Sequence, residues 1–403
     1  MSELNCSIEA FFSSSSTVFS GPGCPEVAVA CGMNISWVQA NATVKQLEVL
    51  CWSEEAYLIS EIGSRRSPEF LPICVTYLVI FLVGVLGNSL TCTVILRYRV
   101  MQTPTNYYLL SLAVSDLLVL LLGMPLELYE MWQNYPFLMG EVGCYFKTFL
   151  FEAVCFASIL NVTALSVERY IAVVHPLKVK HMTTGAHVKR VILILWVVSM
   201  LCAVPNTSRQ GIEELPPLFG RKFPQSAVCK VVKPMYNLII LISTLLFFLL
   251  PVLIISILYL LIGLRLHRER ANTAAGPRGS LSKSHKEKLS KRNMQVTKML
   301  GVLVLVFSLC WAPFHTDRLM WSYMNTSDKE HNRIFGQFHI ISGVFFYLSS
   351  AVNPILYNLM STRFREMFSH ICCSKRWSTH SSIRMTQRST LSENMSSLKT
   401  TRA

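Results

Sequence analysis

The chain has 403 residues, of which 52% are hydrophobic and only 15% charged, with a formal net charge of +14. So apolar a composition, with a positive mean hydropathy, excludes an ordinary soluble globule and points to a polytopic membrane protein. The positive charge needs no nucleic acid to explain it, because a cytoplasmic face beside anionic lipid accounts for it.

The first 71 residues are polar, Ser-rich and carry more acids than bases. Residues 1–20 lack both a basic start and a sustained apolar core, so no cleavable signal peptide is expected and the first span is expected to direct targeting. Sequons at Asn5, Asn34 and Asn41 make this head a candidate for glycosylation. Asn161 and Asn394 match the same triplet but fall in a span and on the inner side. Cys6, Cys24, Cys31, Cys51 and Cys74 could pair in an oxidising exterior, with connectivity left open.

Seven nearly charge-free stretches follow, at 72–96, 107–128, 144–174, 191–204, 238–264, 299–314 and 340–360. A bilayer core of about 30 Å needs about 20 helical residues. Five stretches reach that length, and the fourth and sixth do so with their flanks. The expected fold is therefore an all-α membrane protein with seven transmembrane helices. Bases crowd into the "RYR" link after the first span, into 265–298 and into the tail beyond Arg363, which predicts an outside amino terminus and an inside tail. The predicted organisation is an extracellular glycosylated segment (1–71), the bundle (72–360), an amphipathic helix with a palmitoylation site (361–373) and a disordered cytoplasmic tail (374–403).

Ionisable groups inside spans cost on the order of 3 kcal/mol and face the bundle interior or water. The second span, "LAVSDLLVLLLGMPLELYEMW", holds two, Asp116 and Glu127. Counted as uniform helix they share one face, about 16 Å apart along the axis. Asp116 is read as a sodium site completed by Asn88, Ser158, Ser349 and Asn353, or else as a polar clasp between helices. Glu127 follows the bend that Pro125 can introduce, and Glu152 of "FLFEAVC" lies at a similar depth in the third span. Together they form a pocket for a cation, unless Lys147 or Arg318 satisfies them internally. Cys144 opens the third span and Cys229 lies in the loop between the fourth and fifth, so a disulfide between them would tie that loop over the bundle mouth. Cys92, Cys155, Cys202 and Cys310 read as small packing residues.

"VERYIAVVHPL" ends the third span with Glu168, Arg169 and Tyr170, where Arg169 is either a snorkelling base or part of a switch. The switch reading gains from Tyr259 in the fifth span and from "NPILY", with Asn353, Pro354 and Tyr357, in the seventh. Pro251, Pro313 and Pro354 are expected to break or bend three spans, as suits a bundle that rocks between two states. In "CWAPFHTDRLMW", Trp311 at the Pro313 bend is placed to couple a ligand to helix rotation, though ordinary packing would also use it. His315, Asp317 and Arg318 lie toward the outer mouth.

"GN" (87–88), "LAVSD" (112–116), "ERY" (168–170), Trp196, Pro251, "CWAP" (310–313) and "NPILY", in this order and spacing, resemble the rhodopsin-type (class A) G-protein-coupled receptors over about residues 70–373. Within them, "TPTNYYLLSLAVSDLLVLLLGMPLELYEMWQNYPF", "LNVTALSVERYIAVVHPL", "CWAPFHTDRLMW" and "VFFYLSSAVNPILYNLMSTRFRE" resemble the neuromedin U receptors. "VVHPL" and "LYLLIGLRLHRER" lean toward their type 1 branch. The resemblance implies a plasma-membrane receptor whose ligand is neuromedin U or neuromedin S, peptides with an amidated, arginine-bearing end. It implies that ligand guanidinium groups meet Glu127 and Glu152, that the amide accepts from Arg318, and that Phe314, Phe345, Tyr347 and His315 wall the pocket. It also implies coupling mainly to Gq-class G proteins, with phospholipase C activation and calcium release, and to the Gi class in part. Arg169 would leave Glu168 and join Tyr259 and Tyr357 in the open state. Glu168 stands where most of the class has Asp, and Asn293 offers no carboxylate to hold Arg169, which puts a strong inter-helix lock in doubt.

After the last span, Phe364 and Phe368 at i, i+4 among bases predict an amphipathic helix on the inner lipid surface. Cys372 and Cys373 then suit palmitoylation. The Ser/Thr-rich tail is expected to be phosphorylated and to recruit arrestin. No resident cofactor is expected beyond the sodium ion. A transporter is the competing class, disfavoured by the lack of an inverted repeat. An enzyme has less support still, for HExxH, GxSxG and phosphate-cradling loops are absent.

Overall fold

The computed structural model describes residues 54–175, 184–218, 221–232, 236–275, 281–323 and 329–372. A short helix, α1 (Glu54–Ile62), precedes α2 (Phe70–Arg97), α3 (Pro104–Leu118), α4 (Met124–Trp132), α5 (Gly140–Val174) and α6 (Gly185–Thr207). A hairpin of β1 (Gln210–Leu218) and β2 (Arg221–Val231) leads to α7 (Tyr236–Thr244), α8 (Leu250–Ala275), α9 (Leu281–Tyr323), α10 (Lys329–Met360) and α11 (Thr362–Cys372). Thr103 caps α3, its hydroxyl accepting from the Asn106 amide while Pro104 fills the first turn, and Thr184 caps α6 through the His187 amide.

Among the described residues, six helical segments are long and apolar enough to cross a membrane: Phe70–Arg97, Pro104–Trp132, Gly140–Val174, Gly185–Thr207, Asn237–Arg268 and Ile334–Leu359. The seventh is α9, which carries the apolar 299–314 stretch and adds Phe307, Cys310, Trp311 and Phe314 to the same core. The helices form a closed ring. α2 packs on α3, α3 on α5, α5 on α8, α8 on α9, α9 on α10, and α10 back on α2, while α6 flanks α5. The outer stripes of α2 and α6, including Leu71, Val75, Leu78, Leu193 and Leu201, stay exposed and apolar, as a lipid-facing surface requires.

Two spans depart from a uniform helix. Val119–Gly123 joins α3 to α4, and Leu245–Leu249 joins α7 to α8, as π turns just ahead of Pro125 and Pro251. Proline has no amide proton and its ring crowds the carbonyl four residues back, and a wider turn relieves that crowding. By contrast α9 and α10 run on through Pro313 and Pro354 without interruption, so the expectation that Pro313 breaks its span is corrected. The helix that carries the seventh span begins at Lys329 and its apolar span at Ile334, both before residue 340, and α8 extends to Ala275.

The antiparallel hairpin, with Ile212 opposite Cys229, sits at one end of the bundle. The Cys144 and Cys229 sulfurs are joined, tying β2 to the start of α5. At the other end α11 turns its apolar face inward: Phe364, Met367 and Phe368 are buried, with Phe364 5.7 Å from the Tyr357 ring. That face is therefore spent largely on protein packing. Asn5, Asn34, Asn41, Cys6, Cys24, Cys31, Cys51, Cys373 and the 374–403 tail lie outside the described residues.

Candidate functional site

At the hairpin end, α4, α5, α9 and α10 each contribute a buried or half-buried ionisable group. Glu127, in the first turn after the second span's π turn, accepts from the Tyr77 hydroxyl at 2.8 Å and the Tyr347 hydroxyl at 2.7 Å. The two tyrosines meet edge to face, 4.9 Å between ring centres. This approach of α2 to α10 requires Gly343, where a Cβ would lie 2.5 Å from the Tyr77 hydroxyl and 3.1 Å from the Glu127 carboxylate. Among the described residues, no Lys, Arg or His forms an ion pair with Glu127.

Glu152 departs from the expectation of an acid awaiting a ligand cation. Its carboxylate, 5% exposed, takes both arms of the Arg318 guanidinium, Nη1 at 3.0 Å from Oε2 and Nη2 on Oε1, and the Asn206 amide at 2.9 Å. A carboxylate so desolvated is held by the nearest cation with planar fork geometry. Arg318 is thereby engaged by protein, and its guanidinium also lies 5.4 Å from the Phe314 ring centre. Lys147 pairs with neither of these acids but with Glu130. Asp317, buried, meets His339 Nδ1 at 2.8 Å.

Beneath this polar layer lies an aromatic floor. Phe346 is in contact range of Phe151 (4.7 Å), Phe314 (5.0 Å) and Trp311 (5.5 Å). His315 stacks on Phe248 at 4.7 Å, buried, with neither ring nitrogen hydrogen-bonded. The expected wall residue Phe345 is corrected: it is 38% exposed, and its neighbour Phe346, 2% exposed, fills the inward position. Successive helical residues point about 100° apart, so an inferred facing one residue off reverses inside and outside.

In the middle of the bundle Asp116, 4% exposed, accepts from the Asn353 amide at 2.9 Å. Asn88 donates to the Ser350 carbonyl at 2.9 Å, and its own amide oxygen is buried without a hydrogen-bond partner. Ser158 donates to Ser115 at 3.0 Å, and Ser349 to the Phe346 carbonyl at 2.6 Å. Of the expected sodium set, Asn353 meets Asp116 directly, through its amide nitrogen, while Ser158 and Ser349 are bonded elsewhere. The Asp116 carboxylate, the serine hydroxyls and the unpartnered Asn88 oxygen are hard oxygen donors of the kind that suits sodium over a transition metal.

At the α11 end, Glu168 and Arg169 are partly buried, and among the described residues one Glu168 oxygen and Arg169 Nε have no hydrogen-bond partner. The Tyr259 phenol lies close enough to interact with Arg169 and Ser166. Tyr357 is buried with its hydroxyl unsatisfied, and Tyr170 faces His175 edge-on at 5.8 Å. The side chain of Asn293 lies outside the described residues.

Sequence reasoning missed Tyr77, Asn206, Phe346, Ser350 and the Asp317–His339 pair as members of these networks. Tyr77 and Asn206 were legible only as polar atoms inside apolar runs, and their partners are 50 and 54 residues away.

A wall of the hairpin end is formed by residues ahead of the first span. Tyr57 and Leu58 of α1 pack with Phe223 of β2 and Tyr135. Ile62, Gly63, Ser64, Ser67, Pro68 and Glu69 then line a cavity of about 500 Å³ together with Ile73, Tyr77, Glu127, Glu130 and His339.

Residues 87–357 match the family model described as 7 transmembrane receptor (rhodopsin family). The chain is 54% identical over 361 residues to Neuromedin-U receptor 1 of Homo sapiens, covering 85% of each chain. To Neuromedin-U receptor 2 of Homo sapiens it is 50% identical over 348 residues, 85% of this chain and 82% of that one. Growth hormone secretagogue receptor type 1 of Sus scrofa is 38% identical over 302 residues, 74% of this chain and 80% of its own length. The chain belongs to the rhodopsin family of seven-transmembrane receptors, in the neuromedin-U receptor group, and is accordingly a multi-pass plasma-membrane signalling receptor and not an enzyme.

Proposed function

We propose that this receptor binds neuromedin U or neuromedin S at its hairpin end, which faces outside with the amino terminus, and signals through heterotrimeric G proteins. Beside the likeness to the neuromedin-U receptors, one observation carries this reading. Glu127 borders the large cavity, and its hydrogen-bond partners among the described residues are two neutral tyrosine hydroxyls. A carboxylate without a cation is suited to an arginine of the peptide, through a charge-assisted pair that strengthens as water leaves. Glu152 and Arg318 then act as one neutral polar unit: the peptide's terminal amide can hydrogen-bond to it, whereas a free carboxylate would meet Glu152 with like charge.

Binding above Phe151, Phe314 and Phe346 bears on Trp311, which lies 5.5 Å from Phe346, and so on the rotation of α9. Bundle opening brings Arg169 toward Tyr259 and Tyr357 to receive a Gq-class G protein, with phospholipase C activation and calcium release, and a Gi-class protein in part. A sodium ion held by Asp116, Ser158, Ser349 and Asn353 would favour the closed bundle. Glycans at Asn5, Asn34 and Asn41, palmitate at Cys372 and Cys373, contact of α11 with inner-leaflet lipid, and arrestin on the phosphorylated tail complete the proposal.

A calcium assay in cells expressing the chain, comparing amidated neuromedin U with its free-acid form, tests the ligand. Potent response to the amide and weak response to the acid is the expected result. Silence toward both at high concentration would refute it, and a response to a ghrelin-like peptide instead would favour the ligand class of the more distant relative.

A further inference from the structure

We infer that residues 54–69 are a fixed wall of the ligand chamber and a positioning element for the ligand. This rests on the proposed ligand site in the hairpin end.

Three separate attachments hold the segment in place. Leu58, 1% exposed, and Tyr57 sit in an apolar seat with Tyr135 and Phe223, the Tyr57 and Phe223 rings 4.8 Å apart. The backbone is pinned to the far end of the second span: the Ser67 amide donates to the Met131 carbonyl at 2.9 Å, the Asn134 amide to the Arg65 carbonyl at 2.8 Å, and the Tyr135 hydroxyl to the Gly63 carbonyl at 2.7 Å. The Arg66 guanidinium lies 4.7 Å from the Phe70 ring centre and 4.2 Å from that of Trp132.

These attachments act together because they bridge different parts of the molecule. The seat belongs to the hairpin that the Cys144–Cys229 bond fixes to α5, and the backbone bonds reach α4 and the turn after it. A chain held at both ends and in the middle has little conformational freedom left to lose when a ligand arrives. Its inner side, from Ile62 to Glu69, faces the cavity opposite Tyr77, Glu127 and His339. The chamber holding Glu127 is thus closed on one side by the segment before the first span. A peptide engaging Glu127 touches this wall, and loss of the seat would open the chamber without touching Glu127 itself.

The test uses the full-length receptor. Ile73 lines the same chamber and is 5% exposed, so an Ile73→Cys thiol reports its openness to a charged methanethiosulfonate reagent, with the parent receptor as background. Adding Leu58→Asp should raise the labelling rate several-fold, and Leu58→Met should leave it unchanged. In calcium assays Leu58→Asp should shift the neuromedin U EC50 by about tenfold, with surface level and maximal response retained, and Leu58→Met should restore it. Should Leu58→Asp fail to reach the surface, Tyr57→Ala serves for both measurements. Unchanged labelling would overturn the wall, as would faster labelling with an unchanged EC50, or a maximal response that simply follows surface level. A parent receptor silent to neuromedin U would overturn the positioning role with the ligand assignment, while the labelling comparison alone would still decide the wall.

Discussion

Arg318 and Glu152 show how a single pairing changes what a residue does. Either charge left alone at this burial is costly: removing one partner of a buried pair destabilises by about 3–5 kcal/mol. Arg318→Ala and Glu152→Gln should therefore both lower the melting temperature of the purified receptor, and the exchange Glu152→Arg with Arg318→Glu should recover part of the loss. Glu127→Gln is different, since it removes the charge while its one oxygen still accepts from one of the two tyrosine hydroxyls and its Nε2 can donate to the oxygen of the other. Its expected effect is a loss of agonist potency with surface expression intact, and unchanged potency would mean that Glu127 is an internal clasp. Gly343→Ala should act on the same site from behind, pushing the Tyr77 hydroxyl off Glu127 and weakening potency in the same assay. Asp116, Glu127 and Glu152 all stand out in the sequence because charge inside an apolar run is costly. Their partners do not, because a tyrosine or asparagine in a span is chemically unremarked until the fold brings it to a carboxylate.

Within elements, the second span carries the main surprise. A uniform helix would place Asp116 and Glu127 on one face, yet the π turn at Val119–Gly123 shifts the phase between them. Both still address α10, Asp116 through Asn353 and Glu127 through Tyr347. Inserting one Ala after Leu121, an exposed residue of that turn, should rotate everything beyond it by about 100° and swing Glu127 away from Tyr347. Agonist potency should collapse while α3 and the Asp116–Asn353 contact persist, which thermal melting with and without sodium can follow. Replacing the cap residue Thr103 by Ala should cost only about 1 kcal/mol of stability and leave potency unchanged. The Phe345 and Phe346 exchange has a different origin, since α10 is uninterrupted: there the assigned face is simply one residue off.

For the molecule as a whole, the hairpin is the piece that joins the proposed recognition site to the bundle. It is fixed by the Cys144–Cys229 bond, whose sequence separation is 85 residues, a loop long enough for the cross-link to stabilise by about 4 kcal/mol. Cys229→Ser should thus lower the melting temperature and, by freeing the seat of α1, reduce agonist potency more than coupling efficiency. The seven spans, the unequal charge of their two ends, the costly acids and the motif order were all legible in the sequence, because each follows from composition or from spacing along the chain under the constraint of a lipid solvent. The partners were not. That Arg318 closes on Glu152, that Tyr77 and Tyr347 share Glu127, that Phe346 displaces Phe345, and that the segment before the first span walls a chamber all depend on the phase and approach of helices far apart in sequence. Those are decided by packing, where a π turn or a glycine moves a side chain by several ångströms and local spacing carries no record of it.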